Sequence, residues 1–314
     1  MTAGPPRRRL SWQQVPDHVR RAIERSLGAA VVEARTQNGG YSPGAAVRVR
    51  LANGGRAFVK GVSNTIHRSS AQTYRDEAAN MARLPPGLPV PRLLDVHDDG
   101  DWIALVYEDV DGRPPALPWR AAELERVAAT LQDVSAALTP SPWPDAPRFE
   151  LVDPTCKRWW RQLAAAPPAD LDPWILEHLD WLVAREADLP RMSGGDTMLH
   201  IDIRSDNLLI TPDGRVIVLD WSYLCNGAPW LDLFWFAVTA NAEGGADVDE
   251  LIRRHPLTRN VDPACIMAAL VGGAGCAVTM ARRPEPPEIP GIRALHVAQA
   301  DATLRWVRRR AASG

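Results

Sequence analysis

The sequence predicts an α+β protein in two lobes, the first built on a small antiparallel sheet and the second mainly helical. Three observations lead there. Up to residue 107, short apolar stretches with period-two alternation are separated by glycine-bearing turns, the pattern of a strand meander. From residue 120 the apolar spacing changes to three and four, the pattern of amphipathic helices. Between them, Tyr107-Glu108-Asp109-Val110-Asp111-Gly112-Arg113-Pro114-Pro115 is an acidic run with one glycine and two prolines, which reads as a hinge. The expected organisation is a lobe over 1–107, a hinge over 108–113 and a helical lobe over 114–314.

The 314 residues suffice for one large domain or two lobes with a sizeable core. A net charge of −2 gives no basis for a nucleic-acid or anionic-membrane partner. The run 264–280 is apolar but slightly short for a membrane span and holds Gly272, Gly273 and Gly275, so a buried helix is expected. Arg7-Arg8-Arg9 reads as a solvated end, without the apolar run of a signal peptide. Cys156, Cys225, Cys265 and Cys276 are scattered, which fits a reducing cytoplasm and no zinc site. Basic residues are Arg except for Lys60 and Lys157, which draws attention to Lys60 at the end of an apolar strand.

In the first lobe a helix over 16–27 stops at Gly28. Strands follow over 31–37, Ala45–Leu51 and 56–60, the last two joined by an Asn53-Gly54 turn. Between the first two strands lies Asn38-Gly39-Gly40-Tyr41-Ser42-Pro43-Gly44. Such a turn can lay backbone N–H groups over phosphates, which makes Gly39, Gly40, Tyr41 and Ser42 candidate nucleotide contacts. It matches neither Gly-x-Gly-x-x-Gly nor a Walker loop. Its position is the informative part, because Ala57-Phe58-Val59-Lys60 puts an ammonium in the strand beneath it, where it can pair with α/β-phosphates. A helix over 70–84 carries Glu77, the expected ion-pair partner of Lys60, with Asp76 and Glu33 as rivals. Strands over 93–96 and 102–107 complete a five-stranded antiparallel sheet with one crossing helix. The backbone at Glu108 and Val110 is placed to hydrogen-bond an adenine edge.

The second lobe begins with a helix over 120–138. A segment over 156–165 carries Trp159 and Trp160, which could stack on an acceptor or belong to the core. A helix over 174–189 follows. Next comes His200-x-Asp202-x-x-x-x-Asn207, then strand Leu208–Ile210, a Thr211-Pro212-Asp213-Gly214 turn, a strand over 215–219, and Asp220-Trp221. This is the layout of a phosphoryl-transfer site. The first Asp accepts the acceptor hydroxyl's proton, and the Asn and second Asp supply hard oxygen ligands to Mg²⁺ on the phosphates. The hairpin would bring Asn207 and Asp220 to the same mouth. Asp232 opens an apolar helix and is read as structural, at the helix dipole or tying down the catalytic loop. Helices over 247–254, 263–281 and 291–310 end the chain.

These residues resemble the aminoglycoside phosphotransferase-like family, small-molecule kinases with a protein-kinase-like two-lobe fold. The strongest matches are His200-x-Asp202-x-x-x-x-Asn207, Leu219-Asp220-Trp221 and Gly227-x-Pro229-x-x-Asp232-Leu233. The resemblance implies Asp202 as catalytic base, Asn207 and Asp220 as Mg²⁺ ligands, Lys60 on phosphate oriented by Glu77, and ATP as donor. Ile201 stands where the family often has glycine, and Trp221 where protein kinases place Phe-Gly. Only eleven residues separate Asp220 from Asp232 and no Ala-Pro-Glu follows, which leaves little room for an activation loop. A small hydroxyl-bearing acceptor fits better than a peptide.

That acceptor is an antibiotic, a sugar or an amino alcohol on the sequence alone. Asp170, Asp172, Glu177, Asp180, Glu243, Asp247, Asp249 and Glu250 offer acids for a polycation, while the arginine-rich last helix points the other way. Two other readings stand beside the kinase. One is a nucleotide-binding scaffold with little catalysis. The other is a metal-dependent hydrolase using His200, Asp202, Asp206 and His67 or His97, whose histidines are dispersed. The sequence leaves ATP versus GTP and the oligomeric state open.

Overall fold

Period-two spacing before residue 108 becomes strands, and three-four spacing after it becomes helices. The computed structural model describes residues 9–245, 247–287 and 289–312; Arg7 and Arg8 lie outside these. The strands are β1 (Val31–Thr36), β2 (Ala45–Leu51), β3 (Arg56–Ser63), β4 (Leu93–Asp98), β5 (Trp102–Glu108), β6 (Thr197–Leu199), β7 (Leu208–Ile210), β8 (Val216–Val218) and β9 (Cys225–Gly227). The helices are α1 (Asp17–Leu27), α2 (Asn64–Met81), α3 (Ala121–Ala137), α4 (Phe149–Val152), α5 (Trp159–Ala165) and α6 (Pro173–Glu177). They continue with α7 (Leu179–Glu186), α8 (Leu189–Met192), α9 (Leu231–Glu243), α10 (Val248–Arg254), α11 (Pro263–Arg282) and α12 (Ile292–Ala312). The chain divides into two units. One comprises Met1–Pro115, Asp206–Tyr223 and Glu285–Ile292; the other comprises Ala116–Ser205, Leu224–Pro284 and Arg293–Gly314.

In the first unit, β1 to β5 form an antiparallel sheet in the order β1-β2-β3-β5-β4. Alternation sends neighbouring side chains to opposite faces. Val47, Val49, Ala57, Val59 and Val106 pack with Val19 and Ile23 of α1. Val62, Leu105 and Tyr107 pack with Ala71 and Tyr74 of α2. Two boundaries differ from expectation. β3 runs on to Ser63, because Gly61 lets the strand lie close to Ala104 and pairing with β5 continues. α2 starts at Asn64 rather than near residue 70, because the Ser63 side chain accepts from Ile66 N at 3.1 Å. His67 leaves helical geometry, which interrupts the apolar period that a sequence reading follows.

The β7–β8 hairpin pairs Leu208 with Val218 and Ile210 with Val216. It is held within the same unit by Arg113 and Ile210, which exchange backbone bonds of 3.0 and 2.7 Å, and by Val218 N on Pro89 O at 2.8 Å. Gly112 allows a close approach there: a Cβ would stand 3.1 Å from Leu209 Cβ.

In the second unit α9 is buried around nearly its whole circumference, with Leu233, Phe234 and Phe236 fully enclosed. α11 is the one helix among the described residues long and apolar enough to cross a membrane, and 56% of its apolar window is buried inside the protein. Its glycines make room for large neighbours. A Cβ on Gly272 would meet Leu189, one on Gly273 would meet Trp235 and one on Gly275 would meet Trp160. Trp159 and Trp160 are both buried, and Trp160 donates to Val271 O at 2.7 Å. The stretch expected as one helix over 174–189 is three. His178 departs from helical geometry between α6 and α7, and Pro190 sits in the first turn of α8. α5 starts only at Trp159, because Asp153 caps a 3-10 turn before it and Arg158 sits at φ 55°.

Candidate active site

Lys60 is the middle of a buried cluster in the first unit. It lies on the face of β3 turned to α2, so its ammonium meets the helix side chains. It forms an ion pair with Glu77 and stands 3.4 Å from Asp220 Oδ1. Its Nζ also lies 4.7 Å from the centre of the Tyr74 ring. Tyr107 donates to Glu77 Oε1 at 2.6 Å. The Ser222 hydroxyl is 2.6 Å from Asp220 Oδ1 and 3.2 Å from Glu77 Oε2. Burial opposes the charge on Lys60, but Asp220 and Glu77 outweigh it and hold the ammonium above its usual range. Burial pushes Glu77 up to about 7 against the pull of Lys60. The rivals for Lys60 are engaged elsewhere: Asp76 accepts from Gln72 and Glu33 pairs with Arg50.

One turn after Glu77, Asn80 donates to Trp221 O at 3.0 Å and Ser222 O at 3.2 Å. One face of α2 thus grips both the side chain and the backbone of residues 220–222. Asp220 itself has φ 63°, a left-handed conformation uncommon outside glycine. Asn207 is buried, and its carbonyl accepts from Leu219 N at 2.9 Å, the next rung beyond the β7–β8 ladder. Asn207 and Asp220 therefore flank the same strand ends. An amide oxygen and a carboxylate are the hard donors that Mg²⁺ takes alongside nucleotide phosphates, so this donor set fits the ion.

The hinge residues are braced by arginines. Glu108 accepts from Arg92 N and Nε, both at 3.0 Å. The buried Asp109 carboxylate pairs with Arg56 at 2.7 Å and Arg48 at 3.3 Å. Arg48 also donates to Val110 O at 3.2 Å. Phe58 was missed in the sequence. It is half-buried, two residues before Lys60 and therefore on the same sheet face, paired with Arg48 on one side and Tyr107 on the other. Period-two counting back from Lys60 is the signal that finds it. The glycine loop ends at Gly44, where φ is 108° and a Cβ would stand 2.4 Å from Gly61 O. The loop is thus seated on the residue after Lys60.

In the second unit, β6 delivers the loop that carries Asp202. Asp232 holds that loop with both oxygens, Oδ2 taking His200 N at 2.9 Å and Oδ1 taking Ile201 N at 2.8 Å. Of the two structural roles expected for Asp232, the tie to the loop is thus present in full. Burial pushes its carboxyl up, opposed by His200 and by the two N–H groups. Ile201 sits at φ 58°, a β-branched residue in the left-handed region. Asp202 N donates to His200 Nδ1 at 3.2 Å, and Arg204 donates to Asp202 Oδ1 at 3.0 Å. Arg204 is a second residue that the sequence reading passed over. Asp232→Asn keeps only one acceptor oxygen, so one of the two N–H groups loses its partner. We expect a destabilisation of about 1–3 kcal/mol together with reduced turnover, read by thermal melting and by steady-state rate. Unchanged turnover despite a lower melting point would show that the loop keeps its geometry without the tie.

Most of the acids considered for a polycation are already occupied. Asp170 pairs with Arg282, and Asp172 pairs with Arg308 at 2.5 Å. Asp249 takes Arg310 at 2.9 Å and Trp306 Nε1 at 2.7 Å. Asp247 caps α10, Glu250 pairs with Arg253, and Glu243 accepts from Trp119 and Ser205.

The chain belongs to the phosphotransferase enzyme family, whose model matches residues 34–264. It is a phosphotransferase. No curated protein matches it in sequence. Among solved structures it is similar to choline kinase LicA from Streptococcus pneumoniae, with a TM-score of 0.59 at 14% identity over 93% of this chain and 100% of that one. It is also similar to an aminoglycoside phosphotransferase from Alicyclobacillus acidocaldarius, with a TM-score of 0.53 at 18% identity over 89% and 92%. A third is a thermostable mutant of aminoglycoside phosphotransferase APH(4)-Ia, in ternary complex with AMP-PNP and hygromycin B. Its TM-score is 0.56 at 16% identity over 92% and 98%. At these identities the likeness is one of fold, and the fold is the protein-kinase-like one of aminoglycoside phosphotransferases.

Proposed function

We propose that this phosphotransferase moves the γ-phosphate of ATP to a hydroxyl of a small molecule in a Mg²⁺-dependent reaction. The observation that carries the reading is the buried cluster of Lys60, Glu77 and Asp220. A buried ammonium held by two carboxylates has a use for both: Glu77 fixes its direction, and Asp220 is left beside it to take a metal ion. Bound Mg²⁺ would neutralise charge on the transferring phosphate, and Asn207 and Asp220 would hold it. Lys60 would take the α/β-phosphates beneath the backbone of Gly39, Gly40, Tyr41 and Ser42. The backbone of Glu108 and Val110 would take the adenine edge, with Phe58 as the apolar platform for the ring. Asp202 would accept the acceptor's proton. In this scheme residues 1–107 form the nucleotide-binding lobe, 108–113 the hinge and 114–314 the helical lobe with the catalytic loop and the acceptor site, and the protein works in the cytoplasm.

For the acceptor, a polycation would find Asp170, Asp172 and Asp249 already paired with arginine. That favours a weakly charged polyol, sugar or amino alcohol over a polycationic aminoglycoside. The test is Mg²⁺-dependent ADP release from ATP across aminoglycosides, macrolides, peptide antibiotics, sugars and amino alcohols. Acceptor-stimulated release, strongest with a weakly charged hydroxyl compound, is the expected result. ATP binding without release for every acceptor class would favour the nucleotide-binding scaffold instead.

A further inference from the structure

Arg9 lies against the glycine loop with its guanidinium on Gly39 O at 2.5 Å. The contact is built in from both sides. On the loop, Gly40 has φ 75°, and a Cβ there would come within 2.9 Å of Arg9 Nη2, so a side chain at that position would displace the guanidinium. On the strap, Leu10 forms a bridge to Ala45 and donates to Gly44 O at 3.0 Å, and Trp12 is buried in the α1 core cluster. Residues 9–12 are thereby fastened along the rim of the loop. The charge of Arg9, like that of Lys60, acts on the buried Tyr74 phenol, whose ring Lys60 Nζ approaches. Arg48, Arg56 and Arg75 of the same unit each sit on a carboxylate. Arg9 has no carboxylate partner among the described residues. Its hydrogen bond to Gly39 O engages one of five donors in a fork that matches phosphate oxygens.

We propose that Arg9 is a second phosphate-binding cation of the nucleotide site, taking oxygens of the donor's terminal phosphates from the rim of the glycine loop. The inference rests on the reading of Lys60 and the loop as a nucleotide site. It adds a contact from a segment that precedes the sheet and that the sequence reading assigned to solvent. Because the contact is charge-assisted and made to phosphate alone, its loss weakens binding in proportion to the phosphates present.

The experiment compares the binding of ATP, ADP, AMP and adenosine to the wild type, Arg9→Gln, Arg9→Lys and Lys60→Ala, with a melting curve for each. Arg9→Gln can keep a neutral donor on Gly39 O while removing the charge. The expected result for Arg9→Gln is roughly ten-fold weaker ATP binding, a smaller loss for ADP, unchanged adenosine, an unchanged melting point, and partial rescue in Arg9→Lys. Equal weakening for all four ligands overturns the proposal and makes Arg9 a latch for the loop. Unchanged ATP binding in Arg9→Gln, with a loss in Lys60→Ala, overturns the proposal alone. Unchanged binding in both variants overturns the proposal together with the nucleotide site it rests on.

Discussion

Asp202→Asn is expected to lower turnover by roughly 10²–10⁴-fold and to leave nucleotide affinity unchanged. Asparagine keeps the size of the side chain and can still accept a hydrogen bond from Arg204, but it cannot take a proton. The loop around it is held by Asp232 through the His200 and Ile201 N–H groups, so the backbone should stay in place. The buried cluster of Lys60, Glu77 and Asp220, proposed to serve the nucleotide, is made from other residues. A kcat that collapses while the Kd for ATP holds separates proton acceptance from binding. Turnover that survives in Asp202→Asn removes the assignment of Asp202 as base.

Lys60→Met is expected to damage both nucleotide binding and folding. It takes the ammonium from between two carboxylates and leaves Glu77 buried, with Tyr107 and Ser222 as its remaining partners. Removing one member of a buried ion pair destabilises by about 3–5 kcal/mol, and ATP affinity is expected to fall with it. The deficit depends on pH with a definite sign. Burial already holds Glu77 near 7, and Lys60 is the largest influence pulling it down. Without Lys60 the folded-state value rises further above the ordinary carboxylate range of the unfolded chain. A group raised on folding favours the folded state at low pH, and that contribution is lost as pH rises through the folded value. Lys60→Met should therefore lie closer to wild type in denaturant titrations at pH 5.5 than at pH 8. Adding Glu77→Gln should recover part of the stability at pH 8 without restoring ATP affinity. A deficit that does not vary with pH would mean that Glu77 keeps its charge without Lys60.

Much of this was legible because it depends on short-range pattern. Period two located all five strands of the first sheet, since alternation is imposed by the pleat itself. Spacing along the chain placed Asp202, Asn207 and Asp220 on one loop and hairpin, and the Leu219–Asn207 backbone bond bears out the pairing of the strand ends. Glu77 was preferred to its rivals because a Lys–Glu pair recurs in phosphoryl-transfer sites, and it is Glu77 that meets Lys60. The start of α2 was not legible: Ser63 caps it through a side chain that also ends a strand, and His67 breaks the period. The contacts of Arg9, Asn80 and Ser222 reach partners between 30 and 145 positions away, and no local spacing encodes such contacts. Nor could composition reveal that the acids of the second unit were matched with arginines of α11 and α12, because pairing is a property of packing.

Ile201 carries a consequence of a different kind. A branched side chain held at φ 58° stores roughly 1–3 kcal/mol of backbone strain. That is a sizeable part of the 5–15 kcal/mol or so by which a domain of ordinary stability stays folded. The Asp232 clamp on its N–H keeps the loop from relaxing. Under selection for heat tolerance alone, this would be among the first positions to drift to glycine, and the drift would proceed without touching the core. A chain that holds isoleucine here has its thermal ceiling set partly by the backbone of this one loop, at a single codon.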